Sequence, residues 1–293
     1  MLAWTGAGAV ERPRVLQIRL QRSYPGRVRA GAPVPARNMP TDEVLANLRH
    51  FTAASPRGLP VDQVVFSGVG AASRPDLPSL CAAARELGVR RITLHAGVED
   101  LVGLQAGAVP VDLLVLPVQI GEAGASLADA ARVLAACRDI GLPAAANTQL
   151  VPTALPVLAA AARIAVRTGV ATASFTFPFP VEGTQSGDVP PPARAIAALR
   201  DVVPLLEGVR VSIKGLPRCW LGDLARFASR TANRWYVDAD HQCERGLLFF
   251  PDVVAFHKDE ACRFCAADAV CDGFFATYLR RPGCGRLTPM EVT

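Results

Sequence analysis

Short apolar runs alternate with longer amphipathic segments along most of this chain. Six runs of at most eight residues are bounded by Gly, Pro or a charged residue: Arg14–Leu20, Val61–Phe66, Arg91–His95, Asp112–Val118, Ala144–Leu150 and Ala171–Pro178. Runs of this length that are apolar throughout are typical of strands buried on both faces of a parallel sheet. The pattern therefore predicts six parallel strands.

Helical periodicity fills the gaps between these strands. Five segments repeat apolar residues every three to four positions: Thr41–Ala54, Pro75–Leu87, Leu127–Ile140, Thr153–Thr168 and Pro191–Leu206. Alternation of strands and helices predicts an α/β protein whose parallel sheet is wound in a right-handed sense. Periodicity alone leaves open whether that sheet is a full barrel, a partial barrel or an open sheet.

The pattern changes near the end of the chain. One more strand is predicted over Val209–Gly215, and the sequence beyond it is irregular and holds six of the eight cysteines. Small lobes that cannot build a large core often bind a metal instead. We therefore expect an N-terminal tail at residues 1–13, a barrel domain at residues 14–215 and a small Cys-rich extension at residues 216–293.

Composition narrows the class of protein. The chain has 293 residues, of which 51% are hydrophobic, and a net charge of +5 without long basic runs. We therefore expect no nucleic-acid partner. No apolar stretch reaches the length of about 18 residues that a bilayer requires, and the N-terminus does not resemble a secretion signal. We expect a cytoplasmic protein without membrane contact, in which reduced cysteines are free to bind metal.

The cysteine run Cys262-x2-Cys265-x5-Cys271 is the clearest chemical signal. Three thiols at this spacing can converge on one soft metal centre, and Cys219 is the predicted fourth ligand. Three residues are alternative fourth ligands: Cys243, Cys284 and His257. We expect one [4Fe–4S] cluster, with zinc as the alternative because both accept four thiolates.

Two other groups of residues favour simpler roles. Cys81 and Cys137 lie at helical spacing among apolar residues, which predicts that both pack in the core. A polar cluster near residue 240 can be either part of a second metal site or a surface loop. It consists of Asp238, Asp240, His241 and Cys243.

Two segments carry a resemblance to a known family. The segment Met39–Leu45 leads into VVFSGVGAASRPDLPSLCAAARELGVRRITLHAG at residues 64–97, and the chain ends with the cysteine run followed by Gly273. Together they resemble the radical S-adenosylmethionine (SAM) proteins that have a twitch or SPASM-type C-terminal extension. The resemblance implies a partial (β/α)6 TIM-like barrel with an auxiliary cluster in the extension.

The sequence departs from this family at the SAM site. The family's Cys-x3-Cys-x2-Cys motif follows the first strand, where this chain reads Gln21–Ala30 without a thiol. The family's Gly-Gly-Glu turn is replaced by Ser67–Ala72, which has no acidic residue. The resemblance therefore implies that reductive cleavage of SAM is absent. Whether SAM still binds stays open, because the VSIKG segment at residues 211–215 resembles the strand that packs on adenine.

Polar residues at the predicted strand ends mark a possible ligand site. Ligands of α/β folds gather at the C-terminal ends of the strands. The candidate residues of this barrel mouth are Ser67, Gly68, Gly70, His95, Gln119, Asn147, Gln149 and Lys214.

Three functions fit these observations. The first is a degenerate radical-SAM-like protein that serves as a partner or scaffold for an active enzyme or a peptide. The second is an iron–sulfur enzyme. It uses the remaining cluster for electron transfer, or it binds a small molecule at the barrel mouth and performs non-radical chemistry there. The third is a zinc-stapled binding module. The sequence contains no nucleophile-elbow, P-loop or HExxH motif that favours another enzyme class.

Overall fold

A computed structural model describes most of the chain. It covers residues 13–22, 37–53, 60–68, 70–97, 100–101, 104, 109–118, 127–180, 186–230, 234–249, 256–281 and 284–290. Residues 1–12 and most of the loop after the first strand lie outside these ranges, and so does Gln119 of the predicted barrel mouth.

Thirteen strands are found among the described residues. In chain order they are β1 (Val15–Arg19), β2 (Gln21–Arg22), β3 (Arg37–Asn38), β4 (Gln63–Ser67), β5 (Arg91–His95), β6 (Leu113–Val118), β7 (Ala144–Gln149), β8 (Thr172–Thr176), β9 (Arg210–Lys214), β10 (Arg234–Val237), β11 (Leu247–Phe249), β12 (Phe256–His257) and β13 (Phe274–Phe275). Short antiparallel pairs join β2 to β3 and β12 to β13.

The main sheet has the order β11-β10-β1-β4-β5-β6-β7-β8-β9. Eight neighbouring strands from β10 to β9 run parallel, and only β11 is antiparallel to its neighbour. Within the described residues the sheet does not close on itself. This architecture is a partial TIM-like barrel, which confirms the predicted fold class.

The structure adds to the main sheet two strands that the sequence did not predict. Strand β10 is only four residues long and pairs with β1, where Leu16 is opposite Trp235. Strand β11 then pairs with β10, so residues beyond the predicted barrel domain continue the main sheet.

Seven helices with described bounds surround and extend the sheet. They are α1 (Thr41–Thr52), α2 (Leu77–Glu86), α3 (Leu127–Asp139), α4 (Leu158–Thr168), α5 (Pro192–Val202), α6 (Arg218–Leu221) and α7 (Ala276–Leu279). The first five match the predicted helices. The start of α4 and the end of α5 differ from the predicted bounds, because Pro156 and Pro204 lie in 3-10 turns at Leu155–Val157 and Val203–Leu205. A proline lacks the N–H that a continued α-helix requires. None of the described helices combines the length and apolar character that crossing a bilayer demands.

The two faces of the parallel strands have different environments. One face is fully buried against the helices and is apolar, as at Leu16 and Ile18 of β1 and Phe66 of β4. The other face is partly exposed and mixes polar residues, such as Gln17 of β1 and His95 of β5, with apolar ones such as Val115 of β6. Cys81 and Cys137 lie in the helix layer with at most 1% exposure, which confirms their predicted core role.

One segment contacts both outer strands of the predicted barrel. The Ser229 N–H donates to the Ile213 carbonyl on β9 at 2.8 Å, and Ala228 forms a parallel bridge with Ile213. A few residues later the same segment becomes β10 and pairs with β1. The chain after β9 thus crosses from one side of the barrel opening to the other.

Aromatic packing joins the C-terminal segment to the barrel. The ring of Phe177, just after β8, lies 5.5 Å from Phe274 and 5.9 Å from Tyr278, while Trp220 on α6 lies 4.7 Å from Phe274. Large aromatic side chains contribute most of the contact area in such small cores. These contacts fix the β12–β13 pair beside the C-terminal ends of β8 and β9.

Candidate functional site

Four cysteines line one open cavity beside the barrel. Cys219 lies on α6, immediately after the last predicted strand, and Cys262 lies on a 3-10 turn at Glu260–Phe264. Cys265 ends that turn, and Cys271 ends the next one at Asp268–Val270. The structure therefore brings together the four thiols that the sequence singled out. The alternatives Cys243, Cys284 and His257 do not line this cavity.

Backbone amides point at two of these sulfurs. The Met290 N–H donates to the Cys265 Sγ at 3.2 Å, and the Gly273 N–H donates to the Cys271 Sγ at 3.4 Å. Donors to sulfur stabilise the thiolate, and such bonds tune thiolate-ligated clusters. Both sulfurs are therefore in an environment suited to a metal-bound thiolate.

The other two sulfurs have the same kind of partner. Burial raises the pKa of Cys219, the backbone of Thr288 opposes this with a hydrogen bond, and the nearby thiols Cys271 and Cys262 raise it further. Burial likewise raises the pKa of Cys262, opposed by a hydrogen bond from the Asp259 backbone. These influences agree with four thiols that line the same cavity.

The separation of the sulfurs limits what they can hold together. Across the described ranges, no three of these four sulfurs lie within 4.8 Å of one another. A single tetrahedral zinc ion binds sulfur at about 2.3 Å and so requires sulfurs roughly 4 Å apart. The four sulfurs are spread more widely than one ion requires.

Local sequence explains how the loop between these cysteines is shaped. Gly273 has φ +82°, and a Cβ at this position would collide with the His257 carbonyl and approach Lys258 Cγ to 2.9 Å. The Lys258 Nζ in turn donates to the Asp268 carbonyl at 2.6 Å and to its carboxylate at 2.8 Å. This contact ties the end of β12 to the 3-10 turn between Cys265 and Cys271.

The predicted barrel-mouth residues divide into two groups. Ser67 is buried and saturated, because it donates to the Ile18 carbonyl at 3.3 Å and accepts from Gln17 Nε2 at 3.2 Å. Asn147 accepts from Thr176 Oγ1 at 2.9 Å, and Gln149 is exposed. These three residues hold neighbouring strands together or face solvent, and they do not converge on one point.

The second group is His95 and Lys214, which share an electrostatic environment. His95 at the end of β5 and Lys214 at the end of β9 are both influenced by the charge of Arg234 at the start of β10, a residue that the sequence did not single out. Burial lowers the pKa of His95 to about 4, and the charges of Arg234 and Lys214 lower it further. Burial and the Arg234 charge also lower the pKa of Lys214. Two cations thus influence His95, while the charge of Asp272 partly offsets that of Arg234 at Lys214.

The turn after β4 contains the two predicted glycines. Gly68 has φ +131° and packs against the Gln21 backbone, where an added Cβ would approach within 2.8 Å of the Gln21 nitrogen. Gly70 has φ +70° and an open surrounding. Glycine tolerates both conformations, whereas residues with a Cβ rarely adopt them. The turn therefore needs a glycine at position 68 in order to pass close to the Gln21 backbone, just after β1.

Asp100 is a mouth residue that the sequence did not single out. Its side chain is fully buried and accepts from the Ala72 N–H at 2.7 Å and the Gly97 N–H at 2.9 Å. It thereby clamps the turn after β4 to the turn after β5. The only sequence signal is an aspartate three residues beyond a glycine that follows a strand, which is too common to identify a site.

A cluster beside β1 has no sulfur ligands in this chain. The first cysteine is Cys81, and it lies buried on α2, where burial raises the pKa of its thiol to about 12. The loop at residues 23–36 contains no cysteine and lies outside the described residues. The residues present therefore do not fit the cluster that the resemblance would place there.

Comparison with known proteins gives a fold relationship. No protein-family model and no curated protein matches the sequence. Streptococcus suis SuiB bound to SAM matches with a TM-score of 0.59 at 12% identity, over 95% of this chain and 77% of SuiB. SuiB bound to the precursor peptide SuiA matches with a TM-score of 0.57 at 13% identity, over 95% and 76%.

A second protein gives the same result. The structure of anSMEcpe with bound AdoMet matches with a TM-score of 0.56 at 11% identity, over 96% of this chain and 90% of that chain. In a further SuiB structure the match has a TM-score of 0.53, and this chain spans only 60% of the SuiB length. At these identities the likeness concerns the fold. The chain thus has the partial TIM-like barrel fold of radical SAM enzymes.

Proposed function

We propose that this chain is a radical-SAM-like protein that binds one [4Fe–4S] cluster through Cys219, Cys262, Cys265 and Cys271. In this proposal it lacks the cluster that cleaves SAM and acts as a partner or scaffold in a modification pathway. The observation that carries the proposal is the convergence of four thiols on one cavity, with backbone N–H groups donating to the sulfurs of Cys265 and Cys271.

The spacing of the sulfurs favours a cluster over zinc. A cubane binds one thiolate at each of four irons, so its ligands are further apart than the ligands of a single ion. The four sulfurs line one cavity, yet among the described residues no three of them lie within 4.8 Å of one another. We accordingly assign residues 216–293 to a Cys-rich extension of the twitch or SPASM type, from which β10 and β11 reach back to the main sheet.

The partner that we propose is a peptide or a second enzyme. The support is that SuiB, which has the same fold, has been solved with the precursor peptide SuiA. A chain that keeps this fold but has no sulfur near β1 can still bind such a partner. Its contribution would then be recognition or electron transfer through the remaining cluster.

Iron analysis of anaerobically purified protein tests the cluster. We expect about four irons per chain and broad brown absorption. The double variant C262A/C265A should lose all iron, whereas the matched variant Cys284→Ala, whose thiol lies outside the cavity, should keep it. Eight irons per chain would reveal a second cluster, and stoichiometric zinc without iron would instead support the zinc-stapled binding module.

A turnover assay tests the missing SAM chemistry. Labelled SAM under strong reductant should yield no 5′-deoxyadenosine with this protein, while an active radical SAM enzyme run in parallel should produce it. Formation of 5′-deoxyadenosine would overturn the proposal, because it requires an iron site that the sequence lacks near β1.

A second candidate function rests on the two cations that influence His95. Lys214 and Arg234 lie near the neutral His95, which favours a small molecule with a carboxylate or phosphate group. In this candidate the protein is an iron–sulfur enzyme that uses non-radical chemistry at the barrel mouth. Calorimetric titration with SAM, which carries a carboxylate, tests it: binding by the wild type that weakens in Lys214→Ala would support this candidate.

A further inference from the structure

Helix α1 and the turn after β10 bring three metal-binding side chains together. The ligand atoms of His50, Cys243 and Glu244 all lie within 4.8 Å of one another, and His50 Nδ1 is 3.6 Å from Glu244 Oε1. It is the sole group of its kind within the ranges that the structure describes. We propose that these three residues bind a single divalent transition-metal ion, with zinc as the preferred ion.

The turn that carries Cys243 is fixed to α1 by a fully buried amide. The Cys243 N–H donates to Asn47 Oδ1 at 2.8 Å. The Asn47 Nδ2 donates to the Glu43 carbonyl at 2.8 Å and to Gln242 Oε1 at 3.1 Å, and Gln242 Nε2 donates to the Glu43 carboxylate at 2.6 Å. Because Asn47 is one helical turn before His50, this network places Cys243 beside the imidazole.

The backbone at Cys243 is unusual. Its φ is +49°, and in the described part of the chain it is the one non-glycine residue with a positive φ. Such a conformation has a cost for residues other than glycine and persists only where the surroundings enforce it. Nearby, Gly246 lets the turn approach α1 closely, since a Cβ there would come within 2.7 Å of the Phe51 ring. The strained residue is thus the one that presents the thiol.

The donor set suits zinc. A thiolate, an imidazole and a carboxylate are its three common protein ligands, and three such ligands leave a fourth position for water or substrate. On binding, Cys243 loses its thiol proton to solvent, His50 binds as the neutral ring, and Glu244 binds as the carboxylate. The two negative charges balance the charge of the divalent ion, so the site becomes electrically neutral.

The site differs from the second metal site that the sequence suggested near residue 240. His241 is turned away, because its Nδ1 pairs with Asp238 Oδ1 at 2.9 Å, and Asp238 also accepts from the Asp240 N–H at 2.9 Å. Cys243 faces His50 of α1 instead. The partner is far away in sequence, which is why spacing alone did not reveal it.

The site is also separate from the four-cysteine cavity. Cys243, His50 and Glu244 do not line that cavity. The narrow spacing of the trio suits one ion, whereas the wider spacing of the four sulfurs suits a cluster. Occupation of one site therefore does not require the other.

Cobalt titration of the full-length, cluster-loaded protein tests the proposal, because Co²⁺ bound to thiolate gives a near-ultraviolet charge-transfer band. We expect one additional equivalent of Co²⁺ with this band, displaceable by Zn²⁺. The variants Cys243→Ala and His50→Ala should weaken binding by roughly 100-fold, a loss at the upper end of that produced by mutating the outer shell of a metal site. The matched variants Cys284→Ala and His257→Ala should bind like the wild type.

Glu244→Gln keeps the test decisive if the other variants fold poorly, since this side chain is 67% exposed and its loss cannot disturb the core. We expect it to weaken Co²⁺ binding by roughly tenfold while circular dichroism is unchanged. Unaltered binding in Cys243→Ala, His50→Ala and Glu244→Gln would overturn the proposal. A cobalt band that disappears only in Cys262→Ala would also overturn it, since the signal would then belong to the four-cysteine cavity.

Discussion

His95 lies at the end of β5, and its environment disfavours the charged imidazole. Burial lowers its pKa to about 4 from 6.5, and Arg234 and Lys214 act in the same direction. The folded protein therefore holds a neutral imidazole where the unfolded chain would hold a charged one below pH 6.5. Because the unfolded state binds more protons in this range, folding loses free energy as the medium is acidified.

The pH dependence of stability gives a direct test of this environment. We expect the free energy of unfolding to fall as pH decreases from about 6.5 to about 4, and the variant His95→Gln should show a smaller fall over the same range. Urea titrations at several pH values measure both. His257→Gln serves as the control because His257 is half exposed and pairs only locally with Asp259. An identical pH profile for wild type and His95→Gln would contradict this account.

Asp100 is the second residue whose environment makes a sharp prediction. Its buried carboxylate accepts two backbone N–H groups, and hydrogen bonds to a charged group contribute about 1.5–3 kcal/mol each. We expect Asp100→Ala to reduce the free energy of unfolding by about 3 kcal/mol and to expose the amides of Ala72 and Gly97 to hydrogen exchange. Asp139→Ala, at the exposed end of α3, should change neither quantity.

At the scale of elements, the β12–β13 pair positions two of the four cavity cysteines. Its geometry depends on Gly273, because the backbone of His257 occupies the space that a side chain would need. Gly273 also donates its N–H to the Cys271 sulfur. A single glycine thus affects both the pairing of two short strands and the shape of the four-cysteine cavity.

Two glycine variants separate the cost of a positive φ from the cost of a steric clash with the added Cβ. Gly141 and Gly273 both have positive φ, but only Gly273 has neighbours in the way of a Cβ. We expect Gly141→Ala to cost about 1 kcal/mol and to keep full iron content. Gly273→Ala should lose most of the iron, since β12 must move away from β13. Iron analysis and thermal unfolding of the two variants measure the difference, and equal iron content in both would contradict the argument.

Periodicity predicted the elements whose signal is local. Seven strands and five helices of the barrel follow from apolar spacing and from Gly and Pro at their ends. Strand β10 escaped because Arg234–Val237 is a short run without alternation, and its partner β1 is more than 200 residues earlier. The same limit applies to the sites. The spacing of the cysteines indicated the four-thiol cavity, but no spacing links His50 to Cys243 or Asp100 to Ala72.

At the scale of the whole molecule, the C-terminal segment has a small core. Its largest buried side chains are Phe274, Phe275 and Tyr278, while Phe264 beside the cysteines is 76% exposed. A core of this size contributes little stability by itself, so the metal that we propose would supply much of what holds the segment in place. The barrel, with its continuous apolar layer, does not depend on that contribution.

Metal removal should therefore unfold one part of the molecule and leave the other intact. We expect the variant C262A/C265A to lose hydrogen-exchange protection at residues 256–290, while the strands from β4 to β8 keep theirs. Mass spectrometry of the exchanged protein measures both regions at once. Uniform loss of protection would show that the barrel also needs the metal, and unchanged protection would show that the aromatic contacts suffice.

The pairing of β10 with β1 has a consequence for how the protein is made. A ribosome completes β1 long before β10, because the strand that covers this edge of β1 emerges roughly 200 residues later, which at typical synthesis rates is tens of seconds. During that interval the nascent chain displays an unpaired edge, which is the kind of surface that chaperones bind and that drives aggregation. Strand β10 thus completes the pairing of a strand that was synthesised well before it.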